Sequence, residues 1–391
     1  MAQDFAVVLA GGGSRGAYEA GVLSVLLPAL EKHGATPTVF VGTSAGAINA
    51  VGFASLHHLG AAACSQAVLE LWRQVHFGSV FRSPVRTAVR RLAGRGAGGR
   101  RAGALLDTTP LIATLEHIVD WDQLHANVAS GKVAAVGVVA TPSSTRDSTV
   151  FVETAGNRCP PVDDKRAIRY VKASLAADHV RASSAMPVVF PAVEVLNPEV
   201  AAGWYFDGGA RLNTPIKPAL ALGASRVLVV ATAPAEAPVD APHTASSPPP
   251  GIAGGAAELF YAILADRMIE DLRALAGRNE PSADGDLVPW TFGGPRRDDD
   301  GLFGRLVCEV LGGAGTGPRR RRGPLSVVAR RALGRVLAHD PDRAELASYL
   351  FFDPDFIDGV IRLGQRDAET LLGPDGGPVW HEVGGAGTPT G

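Results

Sequence analysis

Two uninterrupted apolar runs, residues 6–10 (Ala-Val-Val-Leu-Ala) and residues 39–41 (Val-Phe-Val), frame the N-terminal part of the chain. Each reads as a short strand buried on both faces. Between them a helical pattern extends to His33 and stops at Gly34, so residues 7–41 spell strand, glycine turn, helix, strand. Such a βαβ crossover implies neighbouring parallel strands. A helix of small residues starts right after Ser44. Further on, the pattern predicts a helix over 61–76 and a helix start with Thr109 as N-cap and Pro110 at the first helical position. Strands follow over 132–140 and 148–153, then a helix over 167–185, a strand ending in Asp207, and a buried strand over 226–232. Helical patterns over 258–276 and 349–372 complete the chain. The alternation specifies an α/β fold with a mainly parallel sheet.

The interruptions divide the 391 residues into a core over 5–232 and a helical C-terminal part over 258–376 that packs on it. An Arg-rich insertion at 82–103, a Pro/Gly-rich loop at 233–257 and a disordered tail at 377–391 complete the division. The insertion carries Arg82, Arg86, Arg90, Arg91, Arg95, Arg100 and Arg101 with no acidic residue among them. A second basic stretch begins at Arg319, Arg320, Arg321 and Arg322 and runs into an amphipathic pattern with Arg330, Arg331 and Arg335. Both suit contact with anionic lipid headgroups at a membrane surface, and the first also suits a lid. A solvated charged face explains the first equally well, and packing on the core explains the apolar stripe of the second.

A formal net charge of −2 excludes a general polyanion binder, so no nucleic acid partner is expected. Cys64, Cys159 and Cys308 lie far apart in no metal-ligand spacing, which suits buried thiols in a reducing compartment and leaves no metal site. The N-terminus enters a strand without a basic leader, and no apolar stretch approaches the ~20 residues of a membrane span. A cytoplasmic protein, soluble or peripherally bound, is expected. The oligomeric state is not encoded in any readable feature.

Candidate chemistry concentrates at the crossover. Gly42-Thr43-Ser44-Ala45-Gly46 puts a serine on a tight strand-to-helix turn, a nucleophile elbow, where only Gly or Ala fits alongside. The run Gly11-Gly12-Gly13-Ser14-Arg15-Gly16 opens at the same sheet edge. As G-x-G-x-x-G it is a dinucleotide turn, but the second strand then lacks the acid that would hold a ribose. As bare backbone amides with Arg15 nearby it is an oxyanion hole, and the adjacent serine favours this reading, which requires no cofactor. Asp207, followed by Gly208 and Gly209, ends its strand facing the same edge and is the candidate base; a turn former is the alternative. His33, His57 and His58 lie near the elbow in sequence and offer a Ser-His-Asp triad instead.

The three motifs, in this order, resemble the signature of patatin-like phospholipases. Asp107-Thr108-Thr109-Pro110, residues 182–191, Asn213-Thr214-Pro215 and Phe352-Asp353-Pro354-Asp355-Phe356 add to the likeness, which covers residues 5–232 and returns near the C-terminus. The resemblance implies a three-layer α/β/α fold and hydrolysis of lipid acyl esters by a Ser-Asp dyad. Ser44 would be the nucleophile, Asp207 the proton acceptor and the backbone from Gly11 to Ser14 the oxyanion hole. The same motifs would serve an acyltransferase, and a catalytically idle anionic-lipid-binding protein is the rival from another class.

Overall fold

The computed structural model describes residues 4–82, 106–156, 159–235, 252–279, 287–296, 301–312 and 341–381. Its strands are β1 (Asp4–Leu9), β2 (Val39–Thr43), β3 (Ala135–Pro142), β4 (Ser148–Thr154), β5 (Ile168–Lys172), β6 (Val193–Val195), β7 (Gly203–Asp207), β8 (Ala224–Val230) and β9 (Trp290–Gly293). Its helices are α1 (Gly16–Lys32), α2 (Ala45–Leu56), α3 (Ala61–Gln74), α4 (Phe77–Val80), α5 (Thr109–Ile118), α6 (Trp121–Ala129), α7 (Ala177–Ser183), α8 (Ile216–Ala221), α9 (Ile252–Arg278), α10 (Leu302–Gly312), α11 (Pro341–Ser348) and α12 (Pro354–Glu369). The strands form one sheet in the order β5-β4-β3-β2-β1-β8-β9, with β7 joined to β3 and β6 to β7.

β1 shows why its sequence reads as a solid apolar run. Phe5, Val7 and Leu9 point into a core shared with α1, α2 and α12, while Ala6, Val8 and Ala10 point into a second core against α8 and α9. Helices cover both faces, which makes the three-layer α/β/α sandwich. The pairs β1–β2, β1–β8, β2–β3, β4–β5 and β8–β9 are parallel, and β3–β4, β3–β7 and β6–β7 are antiparallel. The expected βαβ crossover is present, with Leu9 opposite Gly42.

Several expectations are corrected. Residues 167–185 are not one helix. Ile168–Lys172 is a strand completed by backbone bonds to β4, and the helix is confined to Ala177–Ser183. The alternating burial of Ile168, Arg169 and Tyr170 shows the sheet overriding the helical pattern. Trp290–Gly293, where the pattern predicts no element, forms β9, a four-residue strand paired with Val227–Val230 of β8. The helix of residues 252–278 starts within the stretch read as a loop. Thr108 rather than Thr109 is the N-cap of α5, and the Asp107 carboxylate accepts the Thr109 N–H at 2.9 Å. Residues 377–381 are ordered, because His381 bridges the Trp290 backbone. Of the three thiols only Cys64 is buried; Cys159 is exposed and Cys308 intermediate. Of both Arg-rich stretches only Arg82 falls within the described residues. Among the described residues no helix is long and apolar enough to cross a membrane.

The C-terminal part is tied to the N-terminal helix by close backbone contact. α12 crosses α1 where Gly21 and Gly364 carry no side chain. A Cβ on Gly21 would lie 2.3 Å from the Ile361 carbonyl oxygen, and one on Gly364 2.2 Å from that of Tyr18. The Tyr18 hydroxyl donates to Asp367 Oδ2 at 2.9 Å beside this crossing, inside the core. Because backbone cannot yield as a flexible side chain does, Gly364→Ala is expected to force the helices apart and lower the unfolding free energy by roughly 1–3 kcal/mol. Urea denaturation followed by circular dichroism checks this; an unchanged midpoint would contradict the packing.

Candidate active site

Ser44 follows directly on β2, with φ 55° and ψ −122°, and α2 begins at the next residue. That positive φ is uncommon for a residue with a Cβ and stays in place only if the surroundings hold it. The surroundings are tight: a Cβ on Gly42 would lie 2.1 Å from the Gly46 carbonyl oxygen, and one on Gly46 2.3 Å from that of Leu9. The Ser44 amide donates to Ser183 Oγ at 2.8 Å, and Thr43 Oγ1 donates to the Leu212 carbonyl at 2.9 Å.

The partner of Ser44 arrives by strand geometry. Along one edge of β3, Thr43 of β2 is opposite Val139, and Asp207 of β7 is opposite the next residue, Ala140. The other edge at Ala140 is occupied by Thr149 of β4. Because β2 runs parallel to β3 and β7 antiparallel, the two strands abut end to end on that shared edge. Ser44 Oγ thereby donates to Asp207 Oδ2 at 2.7 Å. The Gly209 amide donates to Oδ1 at 2.7 Å, the Asp207 amide donates to the Ala185 carbonyl, and Thr141 Oγ1 donates to the Asp207 carbonyl. Gly208 makes the sharp turn away possible, since a Cβ there would lie 2.4 Å from the Val139 carbonyl oxygen. Ser44 and Asp207 are both buried, at 7% and 5% exposure. Burial lifts the Asp207 carboxyl from 3.8 to about 6, against the lowering pull of the bonds from Ser44 and Gly209.

The glycine run lies beside Ser44, and a Cβ on Gly11 would come within 3.3 Å of Ser44 Cβ. Its amides are not equivalent. Gly11 donates to the Asn213 carbonyl, Ser14 to that of Tyr349, Arg15 to that of Gly12, and Gly16 to those of Gly13 and Ser14. The amides of Gly12 and Gly13 have no acceptor among the described residues. Gly13 has φ 58° and lines the cleft with Ser44. Arg15 faces elsewhere than its place in the motif suggests. Its guanidinium bonds Ser348 Oγ and Glu345 Oε1 at 2.7 and 2.6 Å and stacks against Phe303 and Tyr349. It anchors the C-terminal part, as does the Ser14 hydroxyl, which donates to the Ser348 carbonyl.

None of the three histidines offered for a triad hydrogen-bonds Ser44 or Asp207. His33 bonds the Ala29 carbonyl, His57 that of Pro37 and His58 that of Ser55. From Ser44 a cleft of about 830 Å³, counting its open mouth, runs over almost wholly apolar walls that include Ile48, Val68, Phe81, Leu111, Met186 and Phe352. Beneath it Asn49 Nδ2 donates to the Gly16 carbonyl and to Glu19 Oε2, and Trp72 Nε1 donates to Asn49 Oδ1. Glu19 is fully buried, and burial holds its carboxyl well above the ordinary range despite the Asn49 bond.

Sequence reasoning missed Ser183, Thr141, Glu19 and the residues 345–349 that carry the glycine turn. Asn213 had a faint signal in its Asn-Thr-Pro motif. Ser183 fell within residues 182–191 of the family likeness without a role of its own, and the others meet the site only through tertiary contacts.

Comparison with known proteins gives three results. The family model described as Patatin-like phospholipase matches residues 7–220, more than half of the chain. The crystal structure of VipD from Legionella pneumophila is similar at 14% identity with a TM-score of 0.31, over 89% of this chain and 67% of that one. No curated protein matches.

Asp207 also leaves a thermodynamic mark. A carboxyl whose folded pKa is raised contributes stability that is present at low pH and lost as pH rises through about 6, because the fold then carries an ionised buried group. Asp207→Asn is therefore expected to be more stable than the parent at pH 8, by on the order of 3 kcal/mol for a shift of about two units. The difference vanishes below pH 4. Thermal melts of both proteins between pH 4 and 8 measure it, and a variant less stable than the parent at pH 8 would contradict the assignment.

Proposed function

We propose that this chain, which belongs to the patatin-like phospholipase family, is a serine lipid acyl hydrolase that works through Ser44 and Asp207. The observation that carries the reading is the 2.7 Å hydrogen bond between Ser44 Oγ and Asp207 Oδ2 at the head of an apolar cleft.

In this mechanism an ester lies with its acyl chain along the cleft and its carbonyl carbon against Ser44 Oγ. Asp207, ionised above about pH 6, takes the hydroxyl proton as Oγ attacks. The positive end of α2 and the amides of Gly12 and Gly13 hold the negative charge that develops on the carbonyl oxygen. The proton passes to the departing alcohol, leaving an acyl-serine. Water, deprotonated by the same carboxylate, then attacks the acyl carbon and restores the free enzyme. The carboxylate meets the hydroxyl directly, so no histidine relay is needed. Apolar walls suit an aliphatic acyl chain, and their chemistry supports phospholipid, lysophospholipid and neutral ester substrates alike.

Ser44→Ala and Asp207→Asn are each expected to lower kcat on a short-chain p-nitrophenyl ester by at least about 10³-fold while leaving the circular dichroism spectrum unchanged. Full activity in either variant would rule out the dyad. In the parent enzyme kcat/KM should rise with pH through about 6 and level off above, since the base must be ionised. A profile that falls through that range would assign the limb to a group acting as an acid.

A further inference from the structure

The turn after α7 holds both halves of the dyad. Ser183 Oγ accepts the Ser44 amide at 2.8 Å, and two residues later the Ala185 carbonyl accepts the Asp207 amide at 2.8 Å. Ser184 lies between them. Its backbone is occupied, with its amide donated to the Val180 and Arg181 carbonyls and its carbonyl accepting from Met186. Its side chain is different. Ser184 is 9% exposed, lines the same cleft as Ser44, and its Oγ has no hydrogen-bond partner among the described residues. The other polar side chains that face this cleft near the dyad are engaged. Ser44 bonds Asp207, Asn49 bonds Glu19 and Trp72, and Thr114 Oγ1 donates to the Ser79 carbonyl at 2.6 Å.

A buried hydroxyl left unpaired in an apolar wall is unfavourable, and such a group in a native structure calls for a ligand atom to satisfy it. We propose that Ser184 Oγ binds the alcohol-side oxygen of the reaction: the ester oxygen that departs with the alcohol, and then the water that replaces it. The inference rests on the hydrolase reading and adds to it a residue from the segment that bonds the Ser44 and Asp207 backbones, separate in the chain from the glycine amides. The glycine run approaches Ser44 from the end of β1, whereas Ser184 sits in the segment that grips Asp207. The carbonyl oxygen and the departing oxygen leave the tetrahedral carbon in different directions, so one site cannot serve both.

A serine hydroxyl can both donate and accept, and each half of the reaction uses one capacity. In acylation the Ser44 Oγ–carbon bond forms and its proton moves to Asp207. The bond from carbon to the ester oxygen then breaks, Asp207 returns the proton to that oxygen, and Ser184 donates a hydrogen bond to it as negative charge gathers there. In deacylation the water oxygen bonds to the acyl carbon and gives one proton to Asp207. Its other hydrogen points at Ser184 Oγ, which fixes the attacking lone pair. When the carbon–Ser44 Oγ bond breaks, Asp207 returns the proton to Oγ.

This role separates leaving groups. p-Nitrophenolate departs without help, whereas a glycerol alkoxide needs it. Ser184→Ala is therefore expected to leave the pre-steady-state burst rate on p-nitrophenyl butyrate within about twofold of the parent, to slow the subsequent turnover about tenfold or more, and to slow hydrolysis of monobutyrin to a similar degree. Ser184→Cys, nearly the same size but a weak donor, should repeat this pattern and guards against a cavity effect. Ser184→Thr, which keeps the hydroxyl, should restore both rates. Stopped-flow absorbance and titration of released acid read all four proteins. A burst rate that falls in step with turnover, or Ser184 variants that match the parent on monobutyrin, would overturn the assignment. If the parent cleaved neither ester, the hydrolase reading itself would fall, so the two failures are distinguishable.

Discussion

One short contact governs the architecture: a hydroxyl and a carboxylate 163 residues apart, 2.7 Å from each other and almost wholly removed from water. Sheet register produces it. β2 ends at Thr43 opposite Val139, and β7 arrives from the other direction and ends at Asp207 opposite Ala140. Two strands that stop head to head on one edge of β3 bring their next side chains together. The turns that leave this junction must be abrupt, which is why Gly42, Gly46 and Gly208 have no room for a Cβ.

Around that contact the protein accepts two unfavourable features. Ser44 sits at positive φ, and Asp207 is a carboxyl that burial would rather keep neutral. Both are offset by hydrogen bonds from neighbouring elements: Ser183 on the elbow amide, Gly209 on the carboxylate, Thr141 and Ala185 on the Asp207 backbone. The C-terminal part contributes at a distance, for Tyr349 and Ser348 hold Ser14, and Glu345 holds Arg15. The glycine run is thus fixed from both sides, by Asn213 at Gly11 and by residues 345–349 at Ser14 and Arg15. A fixed backbone is what a preorganised oxyanion site requires.

The motifs at the site were legible because their residue types are dictated locally. An elbow serine needs small neighbours, a bare amide turn needs glycine, and a strand-end acid needs a sharp exit, so Ser44, Gly11 to Gly13 and Asp207 stand out of the chain. The βαβ crossover was legible for the same reason, through two apolar runs and a helix of the right length. What could not be read depends on distant partners. β5 looks helical until β4 pairs with it, and β9 is four residues that become a strand only on the edge of β8. Arg15 has the look of an oxyanion charge by position in its motif, yet Glu345, 330 residues away, and the aromatic faces of Phe303 and Tyr349 claim it. Ser183 and Ser184 fell within residues 182–191 of the family likeness, but nothing in the chain itself gave either a partner.

Mass spectrometry of the intact protein and its peptides after treatment with a fluorophosphonate tests the central claim most directly, because the probe forms a stable adduct only with a nucleophile that is activated and open to the cleft. The account predicts a single adduct, on Ser44. An adduct on any other residue, or an unlabelled Ser44 in folded protein, would contradict it.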